Sequence, residues 1–135
     1  MIQSINKIIK YWKSILVLLL ILHLSFASPS EFKKIPTLFD NEDKFIHVLM
    51  YMGLTTVLMF DVSRNMKRWA AKRNRILLIC IAFPVVAGGV IEILQPIISF
   101  PRTASWFDWL ADIWGVLLGW YMMKILFRLL KSHHQ

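Results

Sequence analysis

The chain has a single cysteine, Cys80, in 135 residues. No intrachain disulfide is possible, which excludes the stapled scaffolds common among small secreted domains. Charge is scarce too: 18% of residues are Asp, Glu, Lys or Arg, against about a quarter in soluble domains. Acids are the rarer sign, eight against sixteen lysines and arginines. With 57% of residues hydrophobic and a mean hydropathy of +0.56, the polar side chains are too few to cover a soluble protein this small. A disordered chain and most ordinary cytosolic enzymes are excluded together. The remaining reading is a small integral membrane protein.

A helix crossing the hydrocarbon layer needs about 20 mostly apolar residues. Four stretches meet or approach that length, at about residues 8–27, 45–60, 76–98 and 106–130. The first contains an unbroken apolar block from Ile15 to Leu22. Its basic start and the small-residue stretch Ser25-Phe26-Ala27-Ser28 resemble a signal peptide, but Pro29 disfavours cleavage, so an uncleaved helix is expected. Pro29 and Pro36 make the first connection irregular. The expectation is an all-α, four-helix membrane bundle forming one domain over residues 1–135.

The net charge of +8 would attract nucleic acid on a soluble protein. In a membrane protein its placement matters more, because lysine and arginine accumulate in cytoplasmic loops. Twelve of the sixteen fall before the first span, between the second and third, or at the chain end; Lys33, Lys34, Lys44 and Arg102 are the others. Seven of the eight acids fall on the opposite side or in the span halves nearest it. This places both termini in the cytoplasm and excludes nucleic acid as a partner. Membrane lipids are the expected neighbours, and a homo-oligomer is compatible with so small a bundle.

Ionisable residues inside a span cost a few kcal/mol on insertion scales and therefore point to a partner or a function. Asp43, His47 and Tyr51 recur every four residues beside Lys44, making one helical stripe. Glu92 and Gln95 share a face of the third span, followed by a turn with Pro101 and Arg102. Asp108, Asp112, Gly115 and Gly119 form a stripe on the fourth. At 1.5 Å per residue, His47 lies roughly 5 Å inward of Lys44, and Glu92 and Asp112 each lie about 9 Å inward of their span ends. Three segments thus bring polar groups into the same outer layer.

Blander roles exist for each element. Asp43 suits a helix N-terminus, and Gly115-x-x-x-Gly119 is a close-packing motif. Trp106, Phe107 and Trp109 read as interfacial anchors. Pro84 with Gly88 and Gly89 reads as a kink in the third span.

The series Asp43-Lys44-x-x-His47-x-x-x-Tyr51-x-x-Leu54, Glu92-x-x-Gln95, Arg102, Asp108 and Gly115-x-x-x-Gly119 resembles the VanZ-like membrane protein family, most strongly over residues 40–120. The resemblance implies a small polytopic protein of the bacterial cytoplasmic membrane, acting in the cell envelope. The family's founding member is associated with low-level resistance to the glycopeptide teicoplanin. Asp112 departs from the asparagine usual in the family.

Three functions compete. In the first, Asp43, Lys44, His47, Tyr51, Glu92, Gln95, Arg102, Asp108 and Asp112 bind a lipid-linked envelope precursor or an amphiphilic glycopeptide, with Arg102 contacting its anion. In the second, the chain is an enzyme on a lipid-linked substrate. His47 would serve as acid or base, with Glu92 and Asp108 as further catalytic candidates. In the third, Arg102 pairs with Glu92 and Asp108, and His47 with Asp43 or Asp112, only to fix helix register. No metal or other cofactor is expected. The cluster holds one histidine, with His23 in the first span and His133 and His134 at the opposite end. No G-x-S-x-G, H-E-x-x-H or phosphate-binding glycine loop occurs. Transport is disfavoured, because the inner halves of the spans are nearly devoid of polar residues.

Overall fold

The computed structural model describes residues 2–27, 41–65 and 72–132. The expectations for Pro29 and Pro36, and for Lys33, Lys34, Lys67, Arg68, His133 and His134, lie outside the described residues. Within them the chain is helical throughout, with no strand. The elements are α1 (Ile2–Ile9), α2 (Trp12–Phe26), α3 (Glu42–Asn65), α4 (Arg73–Leu77), a π-helical segment (Leu78–Ala82), α5 (Phe83–Ile98) and α6 (Trp106–Ser132). Three helical stretches are long and apolar enough to cross a membrane: Glu42–Asn65, Asn74–Ile98 and Trp106–Ser132. Trp12–Phe26 is a shorter apolar helix. The expected first span of 8–27 is therefore divided, with α1 and α2 meeting at a turn through Lys10 and Tyr11. The expected 45–60 segment is longer at both ends.

Burial follows an inverted logic. Ile93, Ile97 and Trp106 are each at least two-thirds exposed, while Glu92, Gln95 and Asp112 are almost fully enclosed. Apolar residues on the outside and ionisable ones within suit a lipid surround. The enclosed apolar core is modest and includes Ile21, Leu54, Leu58, Val62, Cys80, Ile91 and Val116.

The helices alternate in direction, so the bundle has two distinct ends. Lys13, Arg64, Lys72, Arg75, Lys124, Arg128 and Lys131 gather at one, hereafter the basic end. There the Asp61 carboxylate accepts hydrogen bonds from the Ser14 amide (3.1 Å) and hydroxyl (2.7 Å). Asn65 Nδ2 donates to the Lys10 carbonyl at 2.9 Å. These bonds tie the start of α2 to the end of α3. The opposite, polar end carries the start of α3, the end of α5 and the start of α6. There the Ser99 hydroxyl donates to the Phe26 carbonyl at 2.8 Å, joining α2 to α5.

The π-helical segment ends two residues before Pro84, with the Phe83 amide donating to the Leu78 carbonyl five residues back. Proline has no N–H for the Cys80 carbonyl, and the looser winding lies in the turn it disturbs. Gly88 and Gly89 are not part of this irregularity. A Cβ on Gly88 would stand 2.7 Å from Asp112 Oδ2, and one on Gly89 3.1 Å from the Trp109 indole nitrogen. Both glycines provide clearance for α6, correcting their reading as a kink. Trp106 and Phe107 are exposed, but half-buried Trp109 donates its indole N–H to the Val85 carbonyl at 2.9 Å.

The parallel pair α3 and α6 makes the most extensive helix contact. A Cβ on Gly115 would run into the Val48 carbonyl, and one on Gly119 would lie 2.6 Å from the Met52 carbonyl oxygen. Gly115 and Gly119 are thus the packing positions expected from their spacing. Gly53 has open space around its missing side chain and serves as an internal control. Gly115→Ala is expected to destabilise the detergent-solubilised protein by about 1–3 kcal/mol through overpacking. Gly53→Ala is expected to be neutral or to stabilise by up to about 1 kcal/mol, since alanine favours helix. Reversible unfolding followed by circular dichroism measures both.

Candidate functional site

The α3–α6 contact sets two four-residue stripes side by side in register. Lys44 stands by Asp108, His47 by Asp112, Tyr51 by Gly115 and Thr55 by Gly119. From the third direction, α5 presents Glu92 and Gln95. His47, Tyr51, Glu92, Gln95 and Asp112 are all at least nine-tenths buried. The layer expected from the sequence is therefore one cluster.

At its centre His47 Nδ1 lies 2.8 Å from Asp112 Oδ1 and 4.0 Å from Glu92 Oε1. Glu92 Oε2 accepts the Ser105 amide N–H at 3.2 Å, fixing that side chain against the start of α6. Among the described residues, four polar atoms of these side chains have no hydrogen-bond partner: Tyr51 OH, Glu92 Oε1, Gln95 Nε2 and Asp112 Oδ2. The Tyr51 hydroxyl is within electrostatic reach of both Asp112 and Glu92. Buried polar groups are ordinarily paired, so these unpaired atoms set the cluster apart from an ordinary packed core.

The periphery is ionic but partly exposed. Lys44 Nζ lies 3.3 Å from Asp43 Oδ2 and 3.7 Å from Asp108 Oδ1. Arg102 donates from Nη1 to the Ser25 carbonyl at 2.7 Å. The expected register pairs are therefore only partly present. His47 pairs with Asp112 and not Asp43, and Lys44 rather than Arg102 pairs with Asp108. Arg102 makes no ion pair among the described residues, because its guanidinium reaches across to α2.

Between the periphery and the core lies a cavity of about 630 Å³. Leu24, Ile46 and Met50 give it apolar walls, while His47, Gln95, Arg102 and Asp108 give it polar ones. Glu92 and Asp112 lie behind His47 and do not line it.

Serines were the residues missed in the sequence. Ser25 supplies the Arg102 anchor and a cavity wall, and Ser105 lines the cavity and accepts the Asp108 amide at its hydroxyl, 3.3 Å away. Ser105-x-x-Asp108 is a readable helix-start signal. Ser25 carries no comparable signal. Asp61 was the one acid outside the outer layer, and its Ser14 partner has no pattern that announces it.

The arrangement supports two kinds of chemistry. The Asp112 bond orients the His47 ring through Nδ1, leaving Nε2 as the other ring nitrogen. Separately, His47, Glu92 and Asp112 each offer a ligand atom, all within 4.8 Å of one another. Asp108 stays outside that trio. No family model, curated protein or solved structure matches the chain.

The His47–Asp112 bond is expected to dominate the local energetics. A double-mutant cycle of His47→Gln and Asp112→Asn, read by unfolding in detergent, should return a coupling of about 1.5–3 kcal/mol, the range for hydrogen bonds to charged groups. A coupling below about 0.5 kcal/mol would show that the contact is incidental.

Proposed function

We propose that the chain is a VanZ-like protein of the bacterial cytoplasmic membrane, with four membrane-crossing helices and both termini in the cytoplasm. Its polar end faces outward and binds a lipid-linked envelope component or an amphiphilic glycopeptide. The gathering of basic residues at the opposite end supports this direction. The convergence of Asp43, Lys44, His47, Tyr51, Glu92, Gln95, Arg102 and Asp108 on one end supports the family reading, because these residues carry the resemblance.

The single observation behind the binding reading is the 630 Å³ cavity. Ligand sites of this size are typically apolar with a few fixed polar groups. Here Leu24, Ile46 and Met50 suit an acyl or isoprenoid chain entering from the bilayer, while Gln95, His47 and Asp108 suit a hydroxyl-rich headgroup. Arg102 stands in the wall as the anion contact. Its guanidinium has five N–H donors, more than the Ser25 carbonyl can use, and its fork fits phosphate or carboxylate.

The His47–Asp112 contact favours a second reading, in which His47 transfers a proton on a lipid-linked substrate. The two readings differ in whether the bound molecule changes.

Native mass spectrometry of detergent-solubilised protein tests them. Wild type is expected to retain an anionic amphiphile, and Arg102→Ala to lose at least about tenfold of that occupancy, the cost of one charged contact, while keeping its helical circular dichroism. An empty wild type, or an Arg102→Ala variant with undiminished occupancy, would overturn the binding reading. A time-dependent mass change in the retained molecule, abolished by His47→Gln, would select catalysis.

A further inference from the structure

We propose that His47, Glu92 and Asp112 form a binding site for one divalent transition-metal ion, with Zn²⁺ the best fit, on the inner side of the cavity wall. The inference does not depend on what the cavity holds.

Geometry is the first support. With metal–ligand bonds near 2.0–2.2 Å and tetrahedral angles, two ligand atoms on one ion stand about 3.3–3.6 Å apart. His47 Nδ1 and Asp112 Oδ1 are separated by 2.8 Å, about half an ångström under that spacing. His47 Nδ1 and Glu92 Oε1 are separated by 4.0 Å, about half an ångström over it. That second distance is too long for a hydrogen bond, and closing it by about half an ångström brings it to the spacing of two atoms bridged by one ion. The three ligand atoms lie within 4.8 Å of one another, so the carboxylates must close by up to about an ångström to meet one ion.

The unpaired atoms are an independent support. Glu92 Oε1 and Asp112 Oδ2 are buried acceptors without a donor. Tyr51 OH, 1% exposed with its residue, also lacks a partner and lies within electrostatic reach of the same two carboxylates. Gln95 Nε2 is a fourth buried orphan, one helical turn from Glu92. With both carboxylates ionised, this buried trio carries excess negative charge even beside a protonated imidazole. Among the described residues neither nearby cation makes an ion pair with Glu92 or Asp112: Lys44 lies by Asp43 and Asp108, and Arg102 donates to the Ser25 carbonyl. A divalent ion offsets that charge and gives the orphan oxygens a partner.

Donor chemistry selects the ion. One imidazole with two carboxylates suits Zn²⁺, whereas Mg²⁺ and Ca²⁺ prefer all-oxygen sets. Zn²⁺ replaces the proton shared between Nδ1 and Oδ1, and the three-ligand set leaves a coordination position for water or a ligand oxygen. Tyr51 and Gln95 then act as positioning residues beside the ligands. Gly88 belongs to the design, because any side chain there would displace the Asp112 carboxylate.

The test uses the full chain with a histidine-free affinity tag and with His133 and His134 replaced by alanine, so that no terminal imidazole competes. Protein is stripped with chelator in detergent, reloaded with Zn²⁺, gel-filtered and measured for metal content. One Zn²⁺ per chain is expected to be retained. Glu92→Gln and Asp112→Asn are each expected to weaken Zn²⁺ affinity by about 100-fold or more, at least the upper range for losing an outer-shell partner. Where a variant fails to fold, the zinc K-edge of the parent chain decides: it should report one imidazole with oxygen neighbours and no sulfur. Folded parent protein without stoichiometric zinc overturns the proposal. So do folded variants that keep full affinity, or an edge spectrum with sulfur or several imidazoles.

Discussion

Backbone proximity between α3 and α6 is the constraint on which the polar cluster depends. Without a Cβ at Gly115 and Gly119, α6 can press against the Val48 and Met52 carbonyls. That approach fixes both separation and register of two parallel helices, so that with Gly115 set against Tyr51, Asp112 meets His47 one turn earlier. In a membrane there is little hydrophobic drive for helices to associate, and close van der Waals packing must supply it. The polar contacts then follow from the apolar ones: the glycines set the distance at which an aspartate and a histidine meet.

Each end of the bundle is secured by different chemistry. At the basic end a lone carboxylate, Asp61, is satisfied by a serine amide and hydroxyl, and the arrangement is closed. At the polar end the carboxylates outnumber their donors, and several buried atoms remain unpaired. A protein that needed only register could have repeated the economical Asp61–Ser14 solution. The difference between a satisfied and an unsatisfied network separates the structural end of this molecule from the chemical one.

Much of this was legible in the sequence because spacing of three and four residues translates directly into a helix face. The stripes containing His47, Tyr51, Glu92, Gln95 and Asp112 required no tertiary knowledge, and their common depth followed from the rise per residue. Partner choice was not legible. His47 had Asp43 and Asp112 as equal alternatives, and only the crossing of α3 with α6 selects between them. Arg102 was assigned to acids by charge alone, but the turn that carries it faces the end of α2 and a carbonyl there. The break at Lys10 and Tyr11 and the winding at Leu78–Ala82 leave too little local pattern to be read. Gly88 and Gly89 show the same limit, since a glycine that kinks a helix and one that admits a neighbour look identical in a string.

The loosely wound turn at Leu78–Ala82 has a rotational consequence. Ile76, Cys80, Pro84, Gly88 and Glu92 are all buried, at a strict interval of four residues. In an uninterrupted α-helix such a series swings about 40° at each step, so Glu92 would point roughly 160° away from Ile76. One wider turn takes back part of that drift. The segment therefore acts as a phase adjuster. It lets a single long helix present an apolar seam at the basic end and a carboxylate at the polar end toward the same neighbours.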